Sequence, residues 1–172
     1  MEHRSLILLG LLMGQSQHGY QINEFIEKNL SIVTDMKKST AYATLDKLHQ
    51  KGFIDIKFEQ KGNRPIRKVY SINERGRKYF YQLLLNNLSS AESVNYQGDI
   101  GLMFIDFLPM DQAIPALKER LKKNKTLIDQ LKQTPVHVNQ TGVNLAVEHK
   151  ITMLEAEISF LEKTIQSLLY SN

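Results

Sequence analysis

The chain has 172 residues, enough for one domain of usual size or two small ones, and its balance of 42% hydrophobic and 23% charged residues is typical of a soluble globular protein. It contains no cysteine, which excludes disulfides, thiol nucleophiles and thiolate metal sites and is compatible with a reducing cytosol. The apolar run from Leu6 to Met13 is far shorter than the roughly 20 residues of a membrane span, and no signal-peptide cleavage site follows it, so we expect a cytoplasmic protein.

The formal net charge of +4 is distributed unevenly. Residues 1–90 contain 14 Lys and Arg against 8 Asp and Glu, whereas residues 91–172 contain 8 against 10. Between Lys37 and Lys78 there are 12 basic and 4 acidic residues, a net charge of +8. Such concentrated positive charge favours a polyanionic partner such as double-stranded DNA.

Three helices are predicted before residue 53. Apolar residues predict the first from Arg4 to Met13 and the second from about Gly19 to Leu30. Ser39 can serve as the N-cap of the third helix, which ends before Gly52, a residue suited to the left-handed position after a helix. The spacing of its apolar residues predicts a buried stripe made by Ala41, Leu45 and Leu48.

A β-hairpin and a fourth helix follow. Alternating apolar and polar residues predict strands over Phe53 to Phe58 and Ile66 to Ile72, with a basic turn over Gln60 to Pro65. Asn73 can cap a helix that continues to about Leu88. The run of small and polar residues that comes next predicts a boundary between a first domain, residues 1–90, and a second, residues 91–172.

Heptad spacing predicts that the second domain is helical. One seam of residues three and four apart contains Ile114, Leu117, Leu121, Asn124, Ile128 and Leu131. A second and cleaner seam contains Val147, Ile151, Leu154, Ile158, Leu161, Ile165 and Leu168. So narrow a seam needs another helix against it, either the preceding helix of the same chain or a second copy, and we take its residues as the candidate dimerisation surface.

The order of these elements is that of a winged helix-turn-helix, and the N-terminal half resembles the PadR-like transcriptional regulators over about residues 5–85. Two segments resemble the start of the family's sequence, Leu8-Leu9-Gly10-Leu11-Leu12 and His18-Gly19-Tyr20. Its recognition helix resembles Tyr42-Ala43-Thr44-Leu45-Asp46-Lys47-Leu48, followed by Lys51-Gly52. Its wing and closing helix resemble Gly62, Arg64-Pro65, Arg67-Lys68-Val69-Tyr70 and Glu74-Arg75-Gly76-Arg77.

Three positions depart from the pattern of the family. Ala43 stands where a proline is often found, Ile66 interrupts the basic run of the wing, and Asn73 replaces a common threonine. None of these changes removes a charge or a helix cap.

The resemblance implies a mainly α fold: an α+β winged helix-turn-helix domain with a two-stranded wing, followed by a C-terminal helical dimerisation domain. It also implies a sequence-specific DNA-binding regulator, usually a repressor that acts as a homodimer on a pseudo-palindromic operator and is released by a small molecule or another signal. The alternative is a winged-helix adaptor that binds proteins and not DNA.

The candidate DNA-binding residues lie on the third helix, on the hairpin and at the start of the second helix. They are Lys38, Ser39, Thr40, Tyr42 and Lys47, then Lys61, Arg64, Arg67 and Lys68, and finally Tyr20. Each set also has a purely structural interpretation, as the solvated face of an amphipathic helix or as a charged turn.

Nothing in the sequence indicates an enzyme, a cofactor or a metal site. No nucleotide-binding or nucleophile motif is present, and the histidines do not have the spacing of metal ligands. Between Gly98 and Leu108, the side chains of Met103, Phe104 and Phe107 predict either an effector pocket between the domains or a core or dimer interface.

Overall fold

The computed structural model of the chain describes residues 2–29, 36–60, 66–91, 96–133 and 141–170. Its contacts divide the chain into two compact units, Met1–Glu92 and Ser93–Asn172, which are called the first and second unit below. Within the described ranges, no helix is long and apolar enough to cross a membrane.

The described residues of the first unit form four helices around one apolar core. They are α1 (Glu2–Gly14), α2 (Gly19–Asn29), α3 (Lys38–Gln50) and α4 (Glu74–Ser89). Helix α1 packs against α3 and α4, and its Leu8, Leu9 and Leu12 are fully buried at the centre. The predicted stripe of α3 is confirmed, because Ala41, Leu45 and Leu48 all lie in this core.

A small antiparallel sheet completes the first unit. Strand β1 (Gln17–His18) pairs with β3 (Arg67–Ile72), which also pairs with β2 (Ile54–Glu59), so the order is β1-β3-β2. The two longer strands confirm the predicted hairpin. Its turn, residues 61–65, lies outside the described residues. Strand β1 was not predicted, because two residues are too few to show alternation.

The predicted helix ends are partly confirmed. Helix α3 begins one residue before Ser39, and Lys37 at its N-cap makes no side-chain capping bond, so the prediction of a Ser39 cap is wrong. Gly52 has a φ of 71°, as predicted for the residue that follows this helix. The Asn73 side chain caps α4 by accepting a hydrogen bond of 3.0 Å from the Gly76 N–H.

The second unit contains α5 (Gln97–Met103), a 3₁₀ turn (Ile105–Phe107), α6 (Met110–Lys132) and α7 (Thr141–Tyr170). Ion pairs from Lys125 to Glu162 and from Lys132 to Glu155 show that α6 and α7 run antiparallel. Their shared core consists of Leu117, Leu161 and Ile165. The mainly α fold predicted from the sequence is confirmed in both units.

Candidate nucleic-acid interface

A cavity of about 400 Å³ opens where the start of α2, the middle of α3 and strand β3 meet. Four of the predicted DNA-binding residues, Tyr20, Tyr42, Arg67 and Lys68, line it together with His18, Gly19 and Tyr70. We call it the tyrosine cavity. Three phenol rings and an imidazole make its walls aromatic, and two cations lie among them.

Strand β1 is the element that assembles this cavity. By pairing His18 with Val69 and Gln17 with Tyr70, it fixes the start of α2 beside β3. The His18 N–H donates a hydrogen bond of 2.9 Å to the Gln21 side chain, which satisfies a backbone donor where α2 begins. Residues far apart in the sequence are thereby held side by side.

Gly19 is required at the cavity because another helix approaches it closely. A Cβ at this position would lie 2.6 Å from Cε1 and 3.0 Å from the hydroxyl of Tyr42. Gly19 does not have a positive φ, so the reason for glycine is contact with α3 rather than backbone conformation.

Aromatic stacking holds Arg67 over the cavity. Its guanidinium lies 5.3 Å from the centre of the Tyr20 ring, and that ring in turn stacks on His18 with 5.5 Å between ring centres. A guanidinium over an aromatic face keeps its N–H groups available at the edge of the pair. Tyr20 thus positions Arg67 to donate hydrogen bonds to an anion.

The second cation is held by an acid on α3. The Lys68 ammonium lies 3.9 Å from the Asp46 carboxylate, and both side chains are about half exposed. Asp46 thus contacts a residue of the hairpin that is itself a candidate for DNA binding. This ion pair links the third helix to the hairpin.

Tyr70 lies beneath these charged groups and is almost completely buried. Burial raises the pKa of its phenol, and the nearby Asp46 and Tyr42 raise it further. The hydroxyl therefore stays protonated under ordinary conditions. Sequence reasoning missed Tyr70 and His18 as members of this cavity, because only the pairing of β1 with β3 brings them together.

The remaining predicted DNA-binding residues are not part of this cavity. Lys38 and Ser39 are exposed in the first turn of α3, Thr40 is partly buried beside them, and Lys47 is exposed in the last turn. Lys61 and Arg64 lie outside the described residues. The structure therefore presents an aromatic and cationic cavity next to a helix whose outer face is polar.

The candidate dimerisation residues pack largely within the chain. Leu161 and Ile165 are buried against Leu117 of α6, and Leu168 packs on the same cluster. Val147, Ile151, Leu154 and Ile158 are partly exposed. Of the two alternatives for this seam, the preceding helix of the same chain covers at least its C-terminal half.

The described residues hold no group of three His, Asp or Glu side chains that could bind a metal ion. What the first unit does contain is a helix-turn-helix flanked by a basic hairpin, with cations and aromatic rings gathered beside the third helix. These features define the winged helix-turn-helix class of DNA-binding domains.

Comparison with known proteins finds a family that the first unit resembles. Residues 8–82 match the transcriptional regulator PadR-like family. The negative transcriptional regulator PadR of Bacillus subtilis is 26% identical over 124 residues, which cover 72% of this chain and 68% of that protein. The match extends beyond the first unit.

Solved structures share the fold of the whole chain. Bacillus subtilis PadR in complex with operator DNA superimposes with a TM-score of 0.83 at 22% identity, covering 95% of this chain and 98% of that one. The structure of the same protein in complex with p-coumaric acid superimposes with a TM-score of 0.78 at 22% identity, covering 95% of this chain and 94% of that one. The Vibrio cholerae virulence activator AphA superimposes with a TM-score of 0.75 at 15% identity, covering 98% of this chain and 99% of that one.

Residues 8–82 are thus similar to the transcriptional regulator PadR-like family, and the whole chain has the fold of its solved members. The resemblance predicted from the sequence is confirmed over these residues.

Proposed function

We propose that the chain binds double-stranded DNA through α3 and the tyrosine cavity, with α3 in the major groove and the cavity over the phosphate backbone. The observation that carries this proposal is the placement of Arg67 and Lys68 beside Tyr20 and Tyr42, next to the polar face of α3. Two cations held at one cavity suit successive phosphates, and a helix N-terminus carrying Lys38 and Ser39 suits base edges.

Phosphate neutralisation would supply most of the affinity of this interface. Each cation that replaces condensed counterions contributes about 0.9 to the slope of log affinity against log salt concentration. The side chains of Tyr20, Tyr42 and Lys47 would fix the register on the duplex, while the first turn of α3 would provide sequence selectivity. Lys61 and Arg64, which stand between β2 and β3 in the sequence, would add further phosphate contacts.

A homodimer would bring two such interfaces onto one operator. The second unit exposes many large apolar side chains, which monomeric proteins seldom leave in contact with water. Met103 and Phe107 are 75% and 85% exposed, and Phe160 on α7 is 47% exposed. We place the contact between copies on α5, the 3₁₀ turn and the exposed face of α7, together with the partly exposed N-terminal half of the predicted seam.

In such a dimer, two recognition helices would enter successive major grooves about 10 base pairs apart on a pseudo-palindrome. Repression, relieved by a small molecule, is the outcome we propose. A relative named as a negative regulator and its structure with p-coumaric acid support this proposal, whereas AphA is named as an activator. The protein would act in the cytoplasm, where bacterial DNA is accessible.

The test is fluorescence anisotropy on the intergenic DNA upstream of its own gene and on scrambled DNA of equal length, across a salt series. We expect selective binding that weakens steeply with salt. The double variant Arg67→Ala/Lys68→Ala should lower the salt slope by about 1.8, the sum expected for two phosphate contacts. Lys118→Ala/Lys122→Ala on α6 removes the same charge from exposed positions of the second unit and should leave the slope unchanged.

Equal slopes for the two double variants would contradict the interface at the tyrosine cavity. Absence of binding to either DNA at low salt would contradict DNA binding itself and would favour the alternative of a protein-binding adaptor. The net charge of +8 between Lys37 and Lys78 argues against that alternative, since docking onto a protein does not require so much positive charge.

A further inference from the structure

A second cavity, of about 250 Å³, lies within the second unit between α5 with its 3₁₀ turn and the first half of α6. We call it the α5–α6 cavity. It is formed in part by the run from Gly98 to Leu108, which was predicted to form either an effector pocket or a core or dimer interface, but the members differ from those predicted. Phe104 lines it, whereas Met103 and Phe107 do not and are exposed. The interpretation of those two residues as core is wrong.

The walls of this cavity are apolar, and small residues leave the space inside it. The wall on the side of the core of the second unit is formed by Leu102, Ile105 and Leu117. These residues also pack with Leu161 and Ile165. Ala113 and Ala116 on α6 provide no side chain that could fill it. Its volume is slightly below the roughly 300 Å³ at which ligand pockets usually begin, so it has room for one ring with a short substituent.

Among the described residues that line the cavity, Arg120 is the one with a polar side chain. Its Nη2 ion-pairs with Glu157 of α7, and both side chains are about three-quarters buried. Its Nη1 lies against the backbone of Gly98, at the place where a Cβ would stand in any other residue. The guanidinium is thereby fixed at one end of the cavity. It has more N–H donors than the single carboxylate of Glu157 can accept.

We propose that the α5–α6 cavity binds a small uncharged molecule that has one aromatic or branched aliphatic body and one hydrogen-bond acceptor. The apolar walls contact the aromatic or aliphatic body of the ligand, and an N–H of Arg120 donates a hydrogen bond to its acceptor. A neutral ligand fits better than an anion, because Glu157 already balances the charge of Arg120 and no second cation stands among the described residues of the lining. The proposal goes beyond DNA binding and holds for the free protein.

Binding can be measured on the full chain without DNA by ¹⁹F NMR with 4-fluorobenzyl alcohol as the probe. Wild-type protein should bind it saturably and about tenfold more tightly than 4-fluorotoluene, which lacks the acceptor. The anion 4-fluorobenzoate should bind more weakly than the alcohol. Absence of saturable binding of the alcohol, or tightest binding of the benzoate, would overturn the proposal.

Two variants locate the site. Ala116→Leu places a side chain into the cavity from an exposed helix position and should weaken binding of the alcohol about tenfold, since it fills space that the ring needs. Ala146→Leu makes the same change at an exposed position of α7 outside the cavity and should bind as the wild type does. Equal affinities for the two variants would place the probe elsewhere and overturn the assignment.

Gly98→Ala tests the polar end. A methyl group there displaces the Arg120 guanidinium, the flexible end of a side chain, so the fold should survive. We expect this variant to bind the alcohol and 4-fluorotoluene equally. If it kept the wild-type preference, Arg120 would not be the donor. Should light scattering show that Ala116→Leu abolishes a dimer while the wild type binds no probe, the cavity is a contact between copies and not a ligand site.

Discussion

Asp46 of α3 and Lys68 of β3 form an ion pair of 3.9 Å that joins the proposed recognition helix to the hairpin. An exposed pair of this kind contributes little stability, but here it holds a carboxylate close to a cation that we assign to a phosphate. Its effect on DNA binding should therefore exceed its effect on folding.

Replacing this acid with its amide should strengthen DNA binding. We expect Asp46→Asn to raise affinity about threefold at moderate salt, because Lys68 is freed and a negative charge beside the phosphates is removed. Anisotropy titrations check this, with Glu74→Gln as a control that neutralises an exposed acid of the same unit outside the tyrosine cavity. Weaker binding confined to operators with one particular base would instead mean that Asp46 reads that base.

Gly76 in the first turn of α4 should tolerate no side chain. A Cβ there would overlap the carbonyl oxygen of Phe53, a backbone atom that cannot rotate away. For Gly76→Ala we expect a loss of about 2 kcal/mol in the free energy of unfolding. Overpacking costs about 3 kcal/mol, and the higher helix propensity of alanine returns about 1 kcal/mol. Urea denaturation followed by circular dichroism measures this.

Gly14→Ala is the matched control for that change, because a Cβ at Gly14 meets nothing within 4 Å. Its stability should stay close to that of the wild type. Equal stability of the two alanine variants would refute the close contact between α4 and the end of α3.

The buried phenol of Tyr70 should make the first unit sensitive to alkali. Burial, Asp46 and Tyr42 raise its pKa above the ordinary value of 10.0, so the fold favours the protonated form. Its contribution to stability is complete below pH 10.0 and is lost as pH rises through the raised pKa, because only the unfolded chain then ionises freely.

Urea midpoints measured from pH 9 upward should accordingly fall more steeply for the wild type than for Tyr70→Phe. Tyr81→Phe, which alters an exposed phenol of α4, should follow the wild type. Parallel curves for all three proteins would show that Tyr70 ionises as easily in the folded chain as in the unfolded one.

Exposed apolar side chains of the second unit should hold the proposed dimer together. Met103→Asp/Phe107→Asp places charges on two of its most exposed apolar residues and should convert the dimer to monomers in light scattering without changing the helical content. Leu161→Asp would be a poor test, since Leu161 is fully buried within its own chain. A dimer that persists in the double variant would place the interface elsewhere on the second unit.

Local patterns were sufficient to predict most of the fold. The spacing of Ala41, Leu45 and Leu48 predicted the buried face of α3, Gly52 its end, and Asn73 the cap of α4, because each depends on neighbours within a few residues. The cap predicted at Ser39 is wrong, because α3 begins at Lys38 and Ser39 already lies inside the helix. The heptad seams of α6 and α7 predicted helices that pack on each other, but spacing cannot distinguish a partner in the same chain from one in a second copy.

The sequence by itself therefore determined the order of the elements, their inner faces and the basic character of residues 37–78, all properties of local spacing and composition. Only the tertiary structure decided which cations meet which rings. The pairing of β1 with β3 brings His18 and Tyr20 to Arg67, and the packing of α3 brings Asp46 to Lys68. These contacts join residues 22 to 49 positions apart in the sequence, and no periodicity along the chain encodes such distances.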